Sequence, residues 1–98
     1  MKVRNEFVTN SSSASFVISR KDLTQDQIIM IYNHMEIGQE VLPESELQYV
    51  GKFDEWMIWE DEEKDTIKGD TMMDNFNMIV FLTSIGIPRE KIEYDANG

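Results

Sequence analysis

The chain has 98 residues, a length for one domain and one hydrophobic core, and its 41% apolar and 29% charged content is that of a globular protein rather than a disordered one. Nineteen acids against nine bases leave a formal charge of −10, which excludes broad binding to a phosphate backbone, a task for clustered Lys and Arg. There is no cysteine, so disulfides, thiol catalysis and thiolate metal sites are excluded too.

Lys2 and Arg4 give a charged start, but Asn5, Glu6, Thr9, Asn10 and three serines stand where a signal peptide would be apolar. The longest purely apolar run, 78–82, is far short of the ~20 residues that span a bilayer. The chain is therefore expected to be soluble and cytoplasmic, and the glycosylation pattern Asn10-Ser11-Ser12 to be a chance match. A single domain over 1–98 is expected, with no internal repeat and no linker.

Residues 1–13 read as a short extended piece around Phe7 and Val8, then a polar loop through Ser11, Ser12 and Ser13, because Ser and Asn bond their own backbone. Residues 15–19 are β-branched and aromatic and predict a strand. Thr24 and Gln27 have capping-box spacing, and Ile28, Ile31, Tyr32 and Met35 recur on one helical face. With Gly38 as the stop, this predicts a helix over 25–37.

Pro43, Glu44, Ser45 and Glu46 mark a loop, with a short strand expected over 47–50. Residues 55–60 and 66–71 predict two strands joined by the acidic turn 61–65 as an antiparallel hairpin. A second helix is expected from Asp74 as N-cap to Gly86 as C′ residue, with Ile87 folding back on Leu82 and Pro88 forbidding continuation. A strand over 91–94 and a frayed end close the chain. The order predicts an α+β, ferredoxin-like βαββαβ fold, two helices on one face of a four-stranded antiparallel sheet. The alternative is another α+β sandwich with the Phe7 segment as an extra edge strand.

The stretch Phe7-Val8-Thr9-Asn10-Ser11-Ser12-Ser13-Ala14-Ser15-Phe16 resembles the FV-(T/S)-N-SSSSS-F opening of small uncharacterised proteins of bacteria and their phages. It departs from that pattern at Ala14, where the family usually has serine. The stretch 73–78, with Phe81-Leu82 and Ile85-Gly86, is similar to the same group, and together the two cover about a third of the chain. The group has no activity to carry over. The resemblance implies a phage or mobile-element origin, and with it a small host-interfering protein.

Catalytic chemistry finds little support. A serine nucleophile needs a base, and the only histidine, His34, is expected at the flank of the first helix, in water. A phosphate cradle at the serines would lack glycines and a P-loop lysine. No second His or Cys stands at metal-ligand spacing, and the acids lack the EF-hand order. The chain is expected to be no enzyme and to use no metal or cofactor.

Charge and apolar excess are more informative. Between Glu36 and Asp65 eleven acids face only Lys52 and Lys64, a net −9 that is nearly the whole excess. Such a lobe attracts basic surfaces and speeds association with them, though plain solubility is the bland reading. In 55–60, Trp56 and Ile58 point one way and Met57 and Trp59 the other, so a sheet with helices on one face exposes one pair. Phe76 and Val80 on the second helix, and Met30 and Ile37 on the first, are expected outside the core stripe.

The reading that follows is a small acidic, non-enzymatic inhibitor of a basic host protein, a nucleic-acid-handling or defence protein, acting as a DNA mimic. Trp56 or Trp59 would anchor it, and Glu60, Asp61, Glu62, Glu63 and Asp65 would supply charge. It is expected to bind no nucleic acid directly and no membrane; the extra N-terminal segment or homodimerisation would be the competing cover for the apolar groups. The alternative is a small-ligand or nucleotide-signal binder using Ser11, Ser12, Ser13 and Arg20. A base-stacking face of the RRM type lacks the basic rim and the signature.

Overall fold

The computed structural model describes residues 13–97. Phe7, Val8, Ser11 and Ser12 lie outside the described residues, and with them the extended piece and most of the serine loop. Strand β1 is Ser13–Ser19, two residues longer than expected, because Ser13 and Ala14 pair with Asn97 and Ala96. Its alternation buries Ala14, Phe16 and Ile18 and turns Ser13, Ser15, Val17 and Ser19 the other way. A 3-10 turn over Arg20–Asp22 leads to the first helix.

Helix α1, Gln25–Tyr32, opens with the expected capping box: Thr24 Oγ1 accepts from the Gln27 N–H at 3.1 Å, and Gln27 Oε1 accepts from the Thr24 N–H at 2.9 Å. It does not run on to residue 37. At Asn33 the N–H is shared between the Ile29 and Met30 carbonyls and the side chain donates to the Ile29 carbonyl, closing the helix there. Helix α2, His34–Val41, restarts and passes through Gly38 instead of stopping at it. The restart resets the helical phase after Asn33, and Ile37 is half-buried against the core rather than outside it, as is Met30 before the break. Leu42 then extends, as a residue before proline must, and Pro43 caps α3, Glu44–Leu47, where a loop and strand were expected. Glu44 and Glu46 suit that helix start through their charge.

Strand β2 is Met57–Asp61 and β3 is Thr66–Thr71, an antiparallel hairpin in continuous register from Met57↔Asp70 to Asp61↔Thr66. Helix α4, Met78–Ser84, starts three residues later than expected. Asn77 is its N-cap, accepting from the Val80 N–H, while Asp74 instead accepts the Tyr94 hydroxyl at 2.7 Å. Phe76 precedes the helix, so helical periodicity does not govern it, and it is buried. Val80 also packs partly against the core. The C-terminus behaves as predicted: Gly86 has φ +98°, its N–H bonds the Thr83 carbonyl, and Ile87 N–H reaches back to Leu82, a Schellman motif. After a 3-10 turn over Arg89–Lys91 comes β4, Glu93–Asn97, so Ala96 and Asn97 are sheet rather than a frayed end.

The fold is α+β. Its four strands form one open antiparallel sheet in the order β2-β3-β1-β4. The buried strand residues Phe16, Ile18 and Ile67 share a cluster with Ile31 of α1 and Phe81 and Leu82 of α4, so the helices lie on that one face. The opposite face carries Trp59, Lys68, Val17 and Glu93 in one row and Met57, Asp70, Ser15 and Asp95 in the next.

A candidate docking site on the outer hairpin

The two tryptophans part company. Trp56 is 2% exposed: its indole N–H donates to the Phe76 carbonyl at 3.1 Å, its backbone N–H donates to His34, and its ring lies 5.7 Å from that of Phe16. It belongs to the core and is no anchor. Trp59, three residues on, is 39% exposed on the face away from the helices, with Met57 beside it at 68%. Strand alternation does this: a one-residue shift would exchange the pairs.

The acids of the hairpin are less free than their number suggests. Glu60 points to the helix side, where it accepts the Tyr32 hydroxyl at 3.1 Å and pairs with Arg20 at 3.0 Å. Burial, then the Glu60 bond, raises the pKa of Tyr32. Asp65 lies 3.7 Å from Arg20 Nε and adopts φ 56°, a turn conformation that Asp tolerates. Asp61 shares the Trp59 face; it accepts from the Lys64 N–H and pairs with Lys68 at 3.2 Å, which together hold its pKa below the usual value. No ion pair reaches Glu62 or Glu63 among the described residues. Two of the five predicted acids, Glu62 and Glu63, are therefore in no ion pair among the described residues, at the tip of the turn beside Lys64.

Residues that the sequence reading passed over complete the surface. Asp70, Glu93 and Asp95 share the Trp59 face through the strand register, which pattern alone does not fix. At the end of the hairpin opposite the acidic turn, Phe53 before β2 is 89% exposed and Met72 after β3 is 82% exposed; Met73 is exposed beside it. Asn75 donates to Asp54 at 3.1 Å and holds these two loops together. The hairpin is thus polarised, with apolar loops at one end, Met57 and Trp59 along its length and free carboxylates at the other. A large exposed Met or Phe in a loop is the signal that could have located the apolar end.

Of the other candidates, Ser13 and Arg20 are not brought together. Ser13 lies in β1 and Arg20 just past its far end, about 20 Å of strand away. The Arg20 guanidinium is engaged by Glu60 and Asp65. His34 is not at a wet flank but fully buried: its Nδ1 lies 2.8 Å from the Ile31 carbonyl and its Nε2 accepts from Trp56, so both ring nitrogens are used internally. No three His, Cys, Asp or Glu side chains converge on a common point among the described residues. No helix is long and apolar enough to cross a membrane among them either.

Comparison of the chain with protein-family models, curated proteins and solved structures yields no significant match.

Proposed function

We propose that the chain is a small acidic, non-enzymatic interaction protein of phage or mobile-element origin that docks on a basic host protein, one that handles nucleic acid or defends the cell. The observation that carries this reading is the position of Trp59. It is exposed on the same strand and face as Asp61, and Glu62 and Glu63 follow at the tip. An aromatic anchor rimmed by charge is the usual composition of a docking patch, and the negative tip selects a partner rich in Lys and Arg. The free carboxylates would meet cationic groups that otherwise receive phosphates, which is how the protein would mimic DNA. The same proposal takes the fold as ferredoxin-like. The placement of β1 and β3 in the middle of the sheet, each sequential strand–helix–strand pair being split by a neighbour, supports it.

Pull-down from bacterial lysate at low and at high salt tests the reading. The wild type should capture basic proteins at low salt and release them at high salt, where surface fields are screened. Trp59→Ala should weaken capture, as should changing Glu60, Asp61, Glu62, Glu63 and Asp65 together to amides. Capture that is absent, or indifferent to salt and to both variants, overturns it.

A further inference from the structure

The sheet has two outer strands, and they are not alike. The outer edge of β4 carries the exposed Glu93 and Asp95 and no large exposed apolar side chain. β2 presents Met57 and Trp59, and between its start and the end of α1 a recess of about 400 Å³ opens, lined by Tyr32, Glu55, Trp56, Met57 and Ile58. Among the described residues, the backbone of Met57–Asp61 bonds only to β3. In an antiparallel ladder alternate residues of an outer strand aim N–H and C=O away from their neighbour, so β2 offers a row of unused donors and acceptors. Edge strands are commonly blunted by charged side chains, lysine above all, by proline or by a bulge; the only charges of β2 are the acidic Glu60 and Asp61, which bar a like strand and admit a basic one. β2 has no Lys or Pro, and its register with β3 is unbroken.

We propose that the outer edge of β2 is a strand-addition site for an extended basic segment of the partner protein. This rests on the docking reading above and specifies how the partner is held: main-chain bonds to β2 give affinity and alternate side chains give choice. Charge decides the occupant. Glu55 precedes the strand and Glu62 and Glu63 follow it, in no ion pair among the described residues, while Glu60 and Asp61 on the strand are held by Arg20 and Lys68. A second copy paired antiparallel about Trp59 would set Asp61 against Met57 and Glu60 against Ile58 and bring two strands of the same negative charge together with no cation between them, which disfavours it, whereas Lys or Arg on the incoming strand would meet opposite charge. Apolar residues alternating with those bases would cover Trp59 and Met57 or enter the recess beside Tyr32.

The test uses the full chain and two synthetic probes. One is a capped peptide of about eight residues, the length of an ordinary strand, alternating lysine with valine. The other has the same sequence with every backbone N–H methylated, which keeps charge and apolar surface but removes the donors. Strand addition predicts that the first peptide binds at low salt at least tenfold more tightly than the second. It also predicts slowed hydrogen exchange at alternate amides of β2 and at none of β4. Equal binding of both peptides with unchanged β2 exchange overturns strand addition and leaves docking through Trp59 and the acids standing. Binding of neither overturns strand addition, and the docking reading then stands or falls on the salt-dependent capture and the Trp59 variant.

Discussion

The backbone N–H of Trp56 donates to Nε2 of His34 at 3.0 Å, while Nδ1 of the same ring lies 2.8 Å from the Ile31 carbonyl. An Nε2 that accepts and an Nδ1 that donates define one neutral tautomer. Protonation would place a second hydrogen against the Trp56 N–H.

The pKa of His34 is accordingly lowered from its ordinary 6.5, by burial above all, against a small opposing pull from the Ile31 carbonyl and Glu55. The unfolded chain then binds the proton more tightly than the native one. The contribution of His34 is complete above pH 6.5 and is lost as pH falls from there toward the depressed native value, with a slope of at most ~1.4 kcal/mol per pH unit. Denaturant unfolding of wild type and His34→Gln between pH 7.5 and about 5 checks it. The stability difference between the two should shrink as the solution is acidified, whereas a constant difference means that His34 does not titrate on unfolding.

Two glycines are required by close packing. A Cβ on Gly38 would stand 2.7 Å from Cε2 of Phe76, and one on Gly69 would overlap Cε2 of Phe16. Phe76 is itself held between His34 and Phe81, at ring separations of 5.0 and 5.5 Å, and cannot swing away. Gly38→Ala should therefore destabilise by about 1–3 kcal/mol, although alanine is ordinarily favoured over glycine inside a helix by roughly 1 kcal/mol. Gly51→Ala, where only a carboxylate oxygen of Asp54 at 3.5 Å is met, is the control and should be near neutral by thermal unfolding.

That pair of glycines also marks where the sequence stops being legible. The capping box at Thr24 and Gln27 and the stop at Gly86-Ile87-Pro88 are local devices, complete within a few residues, and each is found where its spacing puts it. Alternation in 55–60 likewise shows that one indole must face in and one out. Gly38 looks like the same kind of stop, yet its role is set by Phe76, 38 positions away, and the break at Asn33 accompanies a histidine that turns inward to meet Trp56. Which tryptophan is outside, and that Glu93 and Asp95 share its face, follow from strand register, a relationship between segments that no window of sequence contains. The paired state of Glu60, Asp61 and Asp65 was hidden for the same reason: their cations come from Arg20 and Lys68.

The tryptophans should separate in solution. Trp59→Phe should leave a single buried indole with blue-shifted emission that iodide barely quenches, and Trp56→Phe a single exposed one that iodide quenches strongly. Trp56→Ala should cost about 3–5 kcal/mol, as truncation of a buried aromatic does. Trp59→Ala should stay within roughly 1 kcal/mol, since only part of its ring is covered. Equal quenching of the two single-tryptophan proteins would contradict the division of the hairpin into core and docking residues.

Arg20 gives a prediction of opposite sign to intuition. Its guanidinium pairs with Glu60 at 3.0 Å and with Asp65 at 3.7 Å, all three side chains being partly exposed. Half-exposed pairs of this kind are worth at most ~1 kcal/mol, so Arg20→Gln should fold normally and lose little stability. It removes one positive charge from beside the hairpin and releases two carboxylates next to the free Glu62 and Glu63. If the acidic end steers the protein to basic surfaces, the variant should associate faster than wild type with a polylysine-coated sensor at low ionic strength. The gain should vanish at about 1 M salt, where the screening length falls to ~3 Å. Lys68→Gln, which frees Asp61 on the Trp59 face, should act in the same direction. A slower or unchanged on-rate for both variants would mean that charge at the tip does not guide association, and the electrostatic half of the docking reading would fall while the role of Trp59 could still be measured on its own.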